Sequence, residues 1–174
     1  MKPNFLPKYT HGDALLRNFL RLPDGRQKII DVRGIFLPNN SPALIDISYE
    51  LGGIIHGFLL EIIRANLFDL KIQRNREGLR CFFLQFQTNN TVVANFLEVR
   101  NQILNIFQNH VELQSILHGD PYWMTRAIFS EATHFLTDAI NRLEQDSSGR
   151  HTVAYYLIGA TLLSSYAKEL FLVR

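Results

Sequence analysis

The chain has little of what most recognisable function classes are built from. It holds a single cysteine, Cys81, in 174 residues, so neither an internal disulfide nor a cysteine-rich zinc site can be assembled. The opening MKPNFLPKYT has two lysines but no continuous apolar core and no small-residue cleavage site, which predicts no export signal and a cytoplasmic location. Long hydrophobic runs are also scarce. The uncharged stretch Leu51 to Leu60 is about half a membrane span and contains His56, and the run Thr152 to Ala167 includes Thr152, Thr161, Ser164 and Ser165. Both read as buried helix, and no membrane insertion is expected. No G-x-S-x-G elbow, Gly-rich phosphate loop or H-E-x-x-H pair is present, so no catalytic residue, cofactor or metal is expected.

The six histidines contain one suggestive spacing, Glu131-Ala-Thr-His134. Glu-x-x-His sets a carboxylate and an imidazole on one helical face, as di-iron bundles require, but such bundles need a second copy and two further glutamates. Glu61 and Glu98 are the other mid-helix glutamates and no second motif exists, so the stretch reads as a solvated helix face.

What is present is ordinary in total and uneven in detail. With 47% hydrophobic and 20% charged residues, and 18 Lys+Arg against 16 Asp+Glu, the composition is that of a soluble domain of one core, residues 1–174. The basic residues are 13 arginines and only 5 lysines, accompanied by 13 asparagines and 13 phenylalanines. The excess of positive charge sits in the first forty residues and at Lys71, Arg74, Arg76 and Arg80.

Along the chain, residues 1–11, with Pro3 and Pro7, read as an irregular arm. Asp13 caps a short predicted helix whose face is Leu15, Leu16, Phe19 and Leu20, ending before the turn Pro23-Asp24-Gly25. QKIIDVRGIFLP alternates as a strand. Ser41 and Pro42 then start a helix running to about Asn66, apolar nearly all round and therefore central, in which Gly52, Gly53 and Gly57 imply close approach of another backbone. FDLKIQR and LRCFFLQFQ form a hairpin reversed over Asn75 to Gly78, with Phe68, Leu70, Ile72, Phe82, Leu84 and Phe86 on its inner face. A helix from Thr91 to Leu113 turns Val93, Phe96, Leu97, Ile103, Leu104, Phe107 and Val111 inward and Arg100 outward. Asp120 and Pro121 open another, with Met124, Ile128, Phe135, Ala139, Ile140 and Leu143 inward, and a last helix covers about Thr152 to Phe171. The fold class is α+β: a small, mainly antiparallel sheet, formed by the N-terminal strand plus the hairpin, packed against several long helices. Residues 12–113 form the α/β/hairpin core and residues 120–174 a C-terminal helical pair.

Apolar residues exceed what one inward stripe per helix can hide. Phe83 with Arg80 on the outer hairpin face, Tyr122 and Trp123 at a helix start, and Tyr155, Tyr156 and Tyr166 on the last helix have the composition of a protein interface. Lys71, Arg74, Arg76 and Arg80 form an alternative, phosphate-binding patch. A third reading is a small-molecule sensor with a pocket beside the central glycines.

The succession carried by SPALIDISYELGGIIHGFLLEI, LRCFFLQF and TVVANFLEVRNQILNIF resembles the small adaptor proteins of bacterial type IVB (Dot/Icm) secretion systems, the IcmS/LvgA kind. The resemblance covers residues 12–112 in element order and apolar pattern. It implies a non-enzymatic subunit that clamps a segment of the coupling protein or of a secreted effector, with other proteins as partners and nucleic acid less favoured.

Overall fold

The computed structural model describes residues 18–29, 47–78, 80–111 and 122–172, and for 19, 29, 47 and 166–172 the backbone alone. Among the described residues the order is β1 (Phe19–Arg21), β2 (Gln27–Ile29), α1 (Ile47–Arg64), β3 (Phe68–Arg74), β4 (Arg80–Phe86), α2 (Thr91–Asn109), α3 (Trp123–Arg142) and α4 (Arg150–Leu172). This is the α+β class with a helical C-terminal half. Among the described residues the strands form two separate antiparallel hairpins, β1–β2 and β3–β4.

The first hairpin corrects the end of the helix expected before Pro23, at Phe19–Arg21; residues 13–17 lie outside the described residues. Residues 19–21 pair with 27–29, and the reversal is closed by Leu22 N–H on Arg26 O (2.8 Å) and Gly25 N–H on Leu22 O (2.9 Å). Gly25 sits at φ +84°, which glycine adopts without strain. The Asp24 carboxylate holds the Arg26 N–H (3.0 Å) and Nε–H (2.7 Å), and these hydrogen bonds lower its pKa. A turn this well specified decides the fate of three flanking residues that carry less than one helical turn of apolar spacing. The arm 1–11, the cap Asp13, the segment from Ile30 through Pro42, and Asp120-Pro121 lie outside the described residues.

Helix α1 is the central element the sequence implies. Leu51, Ile55, Phe58, Leu59, Leu60, Ile62 and Ile63 are all buried. It stops where Asn66 takes φ +57°, with Asn66 N–H bonding Ile63 O (2.9 Å) and Leu67 N–H bonding Ile62 O (3.1 Å). That paired closure satisfies the last carbonyls and turns the chain into β3. The expected close approach is found at Gly52. A Cβ there would lie 2.4 Å from Ser130 Cβ and 2.6 Å from Ala127 O, so α3 presses directly on α1, and no room for a ligand is left at that glycine. Gly159 plays the same part between α4 and α3, where Leu136 and Ala132 O crowd it.

Two apolar clusters fill the body. Leu59, Leu60, Ile62, Ile63, Phe68, Val93, Phe135, Ala139, Ala154, Tyr155 and Ile158 form one; Leu51, Ile55, Trp123 and Ala127 form the other, flanked by Ile103, Leu104, Phe107 and Met124. The order in which each helix visits them fixes the packing: α1 and α3 run from the second cluster to the first, and α2 runs the opposite way. Helix α2 is capped by Asn90, whose side chain accepts from Val92 N–H (2.9 Å), and ends at His110 in extended backbone rather than at Leu113. Val111, expected inward, is therefore exposed, as are Ile140 and Leu143 near the end of α3. Among the described residues no helix is long and apolar enough to cross a membrane.

Candidate functional site

The β3–β4 hairpin is pinned at its base and projects at its tip. Its register pairs Phe68 with Phe86, Leu70 with Leu84, Ile72 with Phe82 and Arg74 with Arg80, so these eight side chains share one face, with the three apolar pairs matched as the alternation predicts. At the base, Phe68 is fully buried, and Leu70, Leu84 and Phe86 pack on the first cluster. Arg150 at the start of α4 donates to Phe68 O (2.6 Å) while its guanidinium lies 4.7 Å from the centre of the Phe68 ring.

Two residues further along, the same face leaves the body. Ile72 is 57% exposed and Phe82 41%, which corrects their assignment to an inner face; Phe83 on the opposite face is 50% exposed. The physical reason is length. Seven-residue arms outrun the helices that cover the base, and among the described residues none packs beneath the distal pair of the apolar face. The tip is closed by Gly78 N–H on Asn75 O (3.0 Å), with the Asn75 side chain holding Glu77 N–H (3.0 Å) and Gly78 at φ +77°.

Around this apolar tip stand the cations. Arg74 and Arg80 are directly opposite each other, Arg76 is in the turn, and Lys71 faces Phe83 across the ladder. All four are exposed, and among the described residues none makes an ion pair. Like charges opposed across a ladder destabilise it by a few tenths of a kcal/mol, so the placement opposes hairpin stability.

The structure gathers Phe83, Arg80, Lys71, Arg74 and Arg76 at one tip and adds Ile72 and Phe82, which period-two alternation alone assigns to the core. Arg80 and Arg74 stand on the face of Ile72 and Phe82, with Phe83 and Lys71 on the other, which corrects the placing of Arg80 beside Phe83 on an outer face. A signal of their exposure is present in the sequence: the period-two face ends on Arg74 and Arg80, and a core face does not end on opposed arginines. The remaining aromatics do not join this patch. Trp123 is buried against Phe107 in the second cluster (ring centroids 6.4 Å), and Tyr155 is buried in the first beside Phe135 (6.2 Å). Composition points both to an interface, and both are core residues, because each lies on the face that α3 or α4 turns inward. Tyr156 is exposed on α4, Tyr122 is exposed at the far end beside the second cluster, and the side chain of Tyr166 lies outside the described residues.

A second constellation, inside the body, corrects the solvated face expected for Glu131. Arg100 Nε and Nη2 donate to Glu131 Oε1 (3.1 Å) and Oε2 (2.6 Å); Glu131 is fully buried and the Arg100 side chain only 16% exposed. Burial pushes the Glu131 carboxyl above its usual range, opposed by the Arg100 charge. About two turns further along α3, Asp138 Oδ2 shares a 3.0 Å hydrogen bond with His56 Nε2, while the buried His56 Nδ1 has no hydrogen-bond partner among the described residues. Arg100, Glu131 and His56 each fall between the two apolar clusters on their helices, so together they form a polar layer across the bundle. Both Glu131 oxygens are occupied by Arg100, and among the described residues no three His, Cys, Asp or Glu side chains converge as a metal site. The layer is equipped to hold α2 against α3. Compared with models of protein families, with curated proteins and with solved structures, the chain matches none.

Proposed function

We propose that the chain is a non-enzymatic protein-binding subunit, an adaptor or chaperone-like component, that engages its partners through the tip of the β3–β4 hairpin. The observation that carries this reading is the exposure of Ile72, Phe82 and Phe83 together on one projecting element, ringed by arginines. Interface centres are enriched in aromatic residues and arginine, with lysine depleted, and the hairpin has that balance. Covering the exposed half of each of these side chains is worth on the order of 1 kcal/mol. Association costs roughly 4–15 kcal/mol in lost freedom. Apolar contact alone therefore does not hold a partner, and the charges and the backbone of the tip must contribute. In line with the resemblance to type IVB secretion adaptors, the partners we infer are segments of a coupling protein or of secreted effectors.

One observation favours a second reading, a nucleic-acid-binding regulator: Arg74 opposite Arg80, with Arg76 and Lys71 nearby, is a compact cluster of phosphate donors. Affinity against salt separates the two, since phosphate contacts weaken steeply with ionic strength and an apolar interface does not. The test of the adaptor reading is affinity capture followed by mass spectrometry with the wild-type chain and with the Phe82→Ser/Phe83→Ser variant. Partners lost by the variant and retained against moderate salt support the reading. An identical set of captured proteins from both chains overturns it.

A further inference from the structure

We propose that the outer edge of β4 receives an extended peptide segment as an added strand, with acidic residues at the end of that segment that meets Arg80. This deepens, and rests on, the reading of the hairpin as the contact surface. The ladder dictates which backbone groups are free. The Gln87 N–H to Leu67 O bond (3.1 Å) sets the alternation, so 69/85, 71/83 and 73/81 exchange hydrogen bonds within the hairpin. The N–H and C=O groups of 68, 70, 72 and 74 point out along the β3 edge, and those of 80, 82, 84 and 86 along the β4 edge. At the base both edges are closed, Phe68 O by Arg150 (2.6 Å) and Phe86 O by Thr88 N–H (2.9 Å).

Beyond the base the edges differ. Along β3 the distal side chains are Lys71, Gln73 and Arg74 around the single apolar Ile72, and polar and cationic residues of this kind blunt an edge against pairing. Along β4, Phe82 stands exposed on one face and Phe83 on the other, flanking the outward groups of 82 and 84. A strand laid in the plane of the hairpin beside β4 touches both rings at once, and its own N–H and C=O groups match the ladder. A nucleic-acid strand can stack on only one of the two faces. Charge then sets the chemistry of the segment's end. Arg80 and Arg74 are opposed, and among the described residues neither makes an ion pair, even with Glu77 in the turn, so a carboxylate beside Arg80 relieves that opposition. A second copy of the chain does not, since pairing β4 with β4 adds further arginines.

The experiment uses the full chain and a capped synthetic peptide, Val-Thr-Val-Thr-Val-Thr-Glu-Glu, followed by amide NMR and hydrogen exchange. The acidic peptide is expected to slow exchange at the Phe82 and Leu84 amides. Replacing its glutamates by lysine, methylating its alternate backbone nitrogens, or substituting Arg74→Gln/Arg80→Gln in the chain is each expected to weaken binding about tenfold or more. The arginine variant should unfold at the wild-type midpoint or slightly above it, since the opposed charges are removed. Several results would overturn the proposal: no protection at the highest soluble peptide concentration, equal binding of the lysine peptide, protection of Leu70 and Ile72 instead, the same amides responding to oligothymidylate, or a reversible dimer that Phe83→Ser dissolves. If the peptide fails while the Phe82→Ser/Phe83→Ser variant still loses its captured partners, strand addition falls and the contact surface stands. If capture is unchanged as well, both fall.

Discussion

In the helical body, side chains shrink where backbones meet: Gly52 faces Ser130 and Ala127, and Gly159 faces Ala132 and Leu136. Along the hairpin the reverse holds, and side chains stay large where nothing meets them, at Ile72, Phe82 and Phe83. Charge is handled in opposite ways too. The body encloses Arg100 with Glu131 at 2.6 Å, whereas the hairpin tip sets Arg74 against Arg80 and, although Glu77 stands in the turn, pairs neither arginine with a carboxylate among the described residues. A buried charge without a partner is costly, so the body had to complete its pairs. An exposed one is solvated, which leaves the tip able to keep its cations for something else. The difference separates residues held for stability from residues whose stability contribution is nil or negative and whose presence needs another reason.

The largest expected effect comes from breaking a pair inside the body. Glu131→Leu leaves Arg100 enclosed and unpaired, and removal of one partner of a buried pair costs about 3–5 kcal/mol. The slight exposure of Arg100 puts this case near the lower end. Adding Arg100→Leu should recover most of the loss, because an apolar pair of similar volume fits between the two clusters. Urea unfolding of the single and double variants checks this, and a single variant within about 1 kcal/mol of wild type would show that the pair is not enclosed as described.

Next in size is Gly52→Ala, where the added carbon would lie 2.4 Å from Ser130 Cβ. Forcing α1 and α3 apart is expected to cost about 1–3 kcal/mol, read as a lower unfolding midpoint. Ser130→Gly in the same chain should return part of it but not all, since Ala127 O at 2.6 Å remains. The matching change in the hairpin, Gly78→Ala, meets no atom within 4 Å and is strained only by its φ of +77°, so it should cost about 1 kcal/mol.

The close approach at Gly52 was legible because glycine weakens the interior of a long apolar helix unless a neighbouring backbone needs the space. The hairpin register was legible because period-two alternation and an Asn75–Gly78 turn leave one alignment. The Arg100–Glu131 pair was not. Arg100 lies on a helix whose other polar positions are solvated, and only the antiparallel setting of α2 against α3, a fact about tertiary structure, brings it to Glu131. The first hairpin was missed for a related reason: Phe19 and Leu20 fit a helical face, and the Asp24–Arg26 clamp that pulls them into a strand acts through the turn. The exposure of Ile72 and Phe82 depended on how far the helices reach along the hairpin, which no local pattern encodes.

Smaller again is the effect of the cap on α4. The Asp146 carboxylate accepts Thr152 N–H (2.9 Å) and the Ser148 hydroxyl (2.8 Å). Burial raises its pKa, but the Thr152, Ser148 and His151 hydrogen bonds and the His151 charge outweigh this and lower it to about 2 from 3.8. A carboxyl depressed in the folded state stabilises above its unfolded pKa, and that contribution fades as pH falls from about 4 towards about 2. Asp146→Ala should cost about 1 kcal/mol at neutral pH and flatten the acid limb of the stability curve over that window. A cost that persisted unchanged at the acid end would mean the side chain acts by packing and not by capping.

The smallest expected effect on stability is at the hairpin tip, and it is the one that most sharpens the comparison. Phe82→Ser and Phe83→Ser remove side chains that are about half in water already and lie beyond the last residues packed on the first cluster. Surface changes of this kind usually fall within about 0.5 kcal/mol, so unfolding midpoints should barely move. Phe68→Ser, on the same element but fully buried and stacked under Arg150, should unfold the chain or cost several-fold more. A steep gradient along one strand pair, from indispensable at Phe68 to dispensable at Phe82, is what an element anchored at its base and free at its tip must give. If Phe82→Ser instead cost as much as a core substitution, the tip would be packed against another part of the chain, and its arginines and aromatics would belong to the body's stability after all.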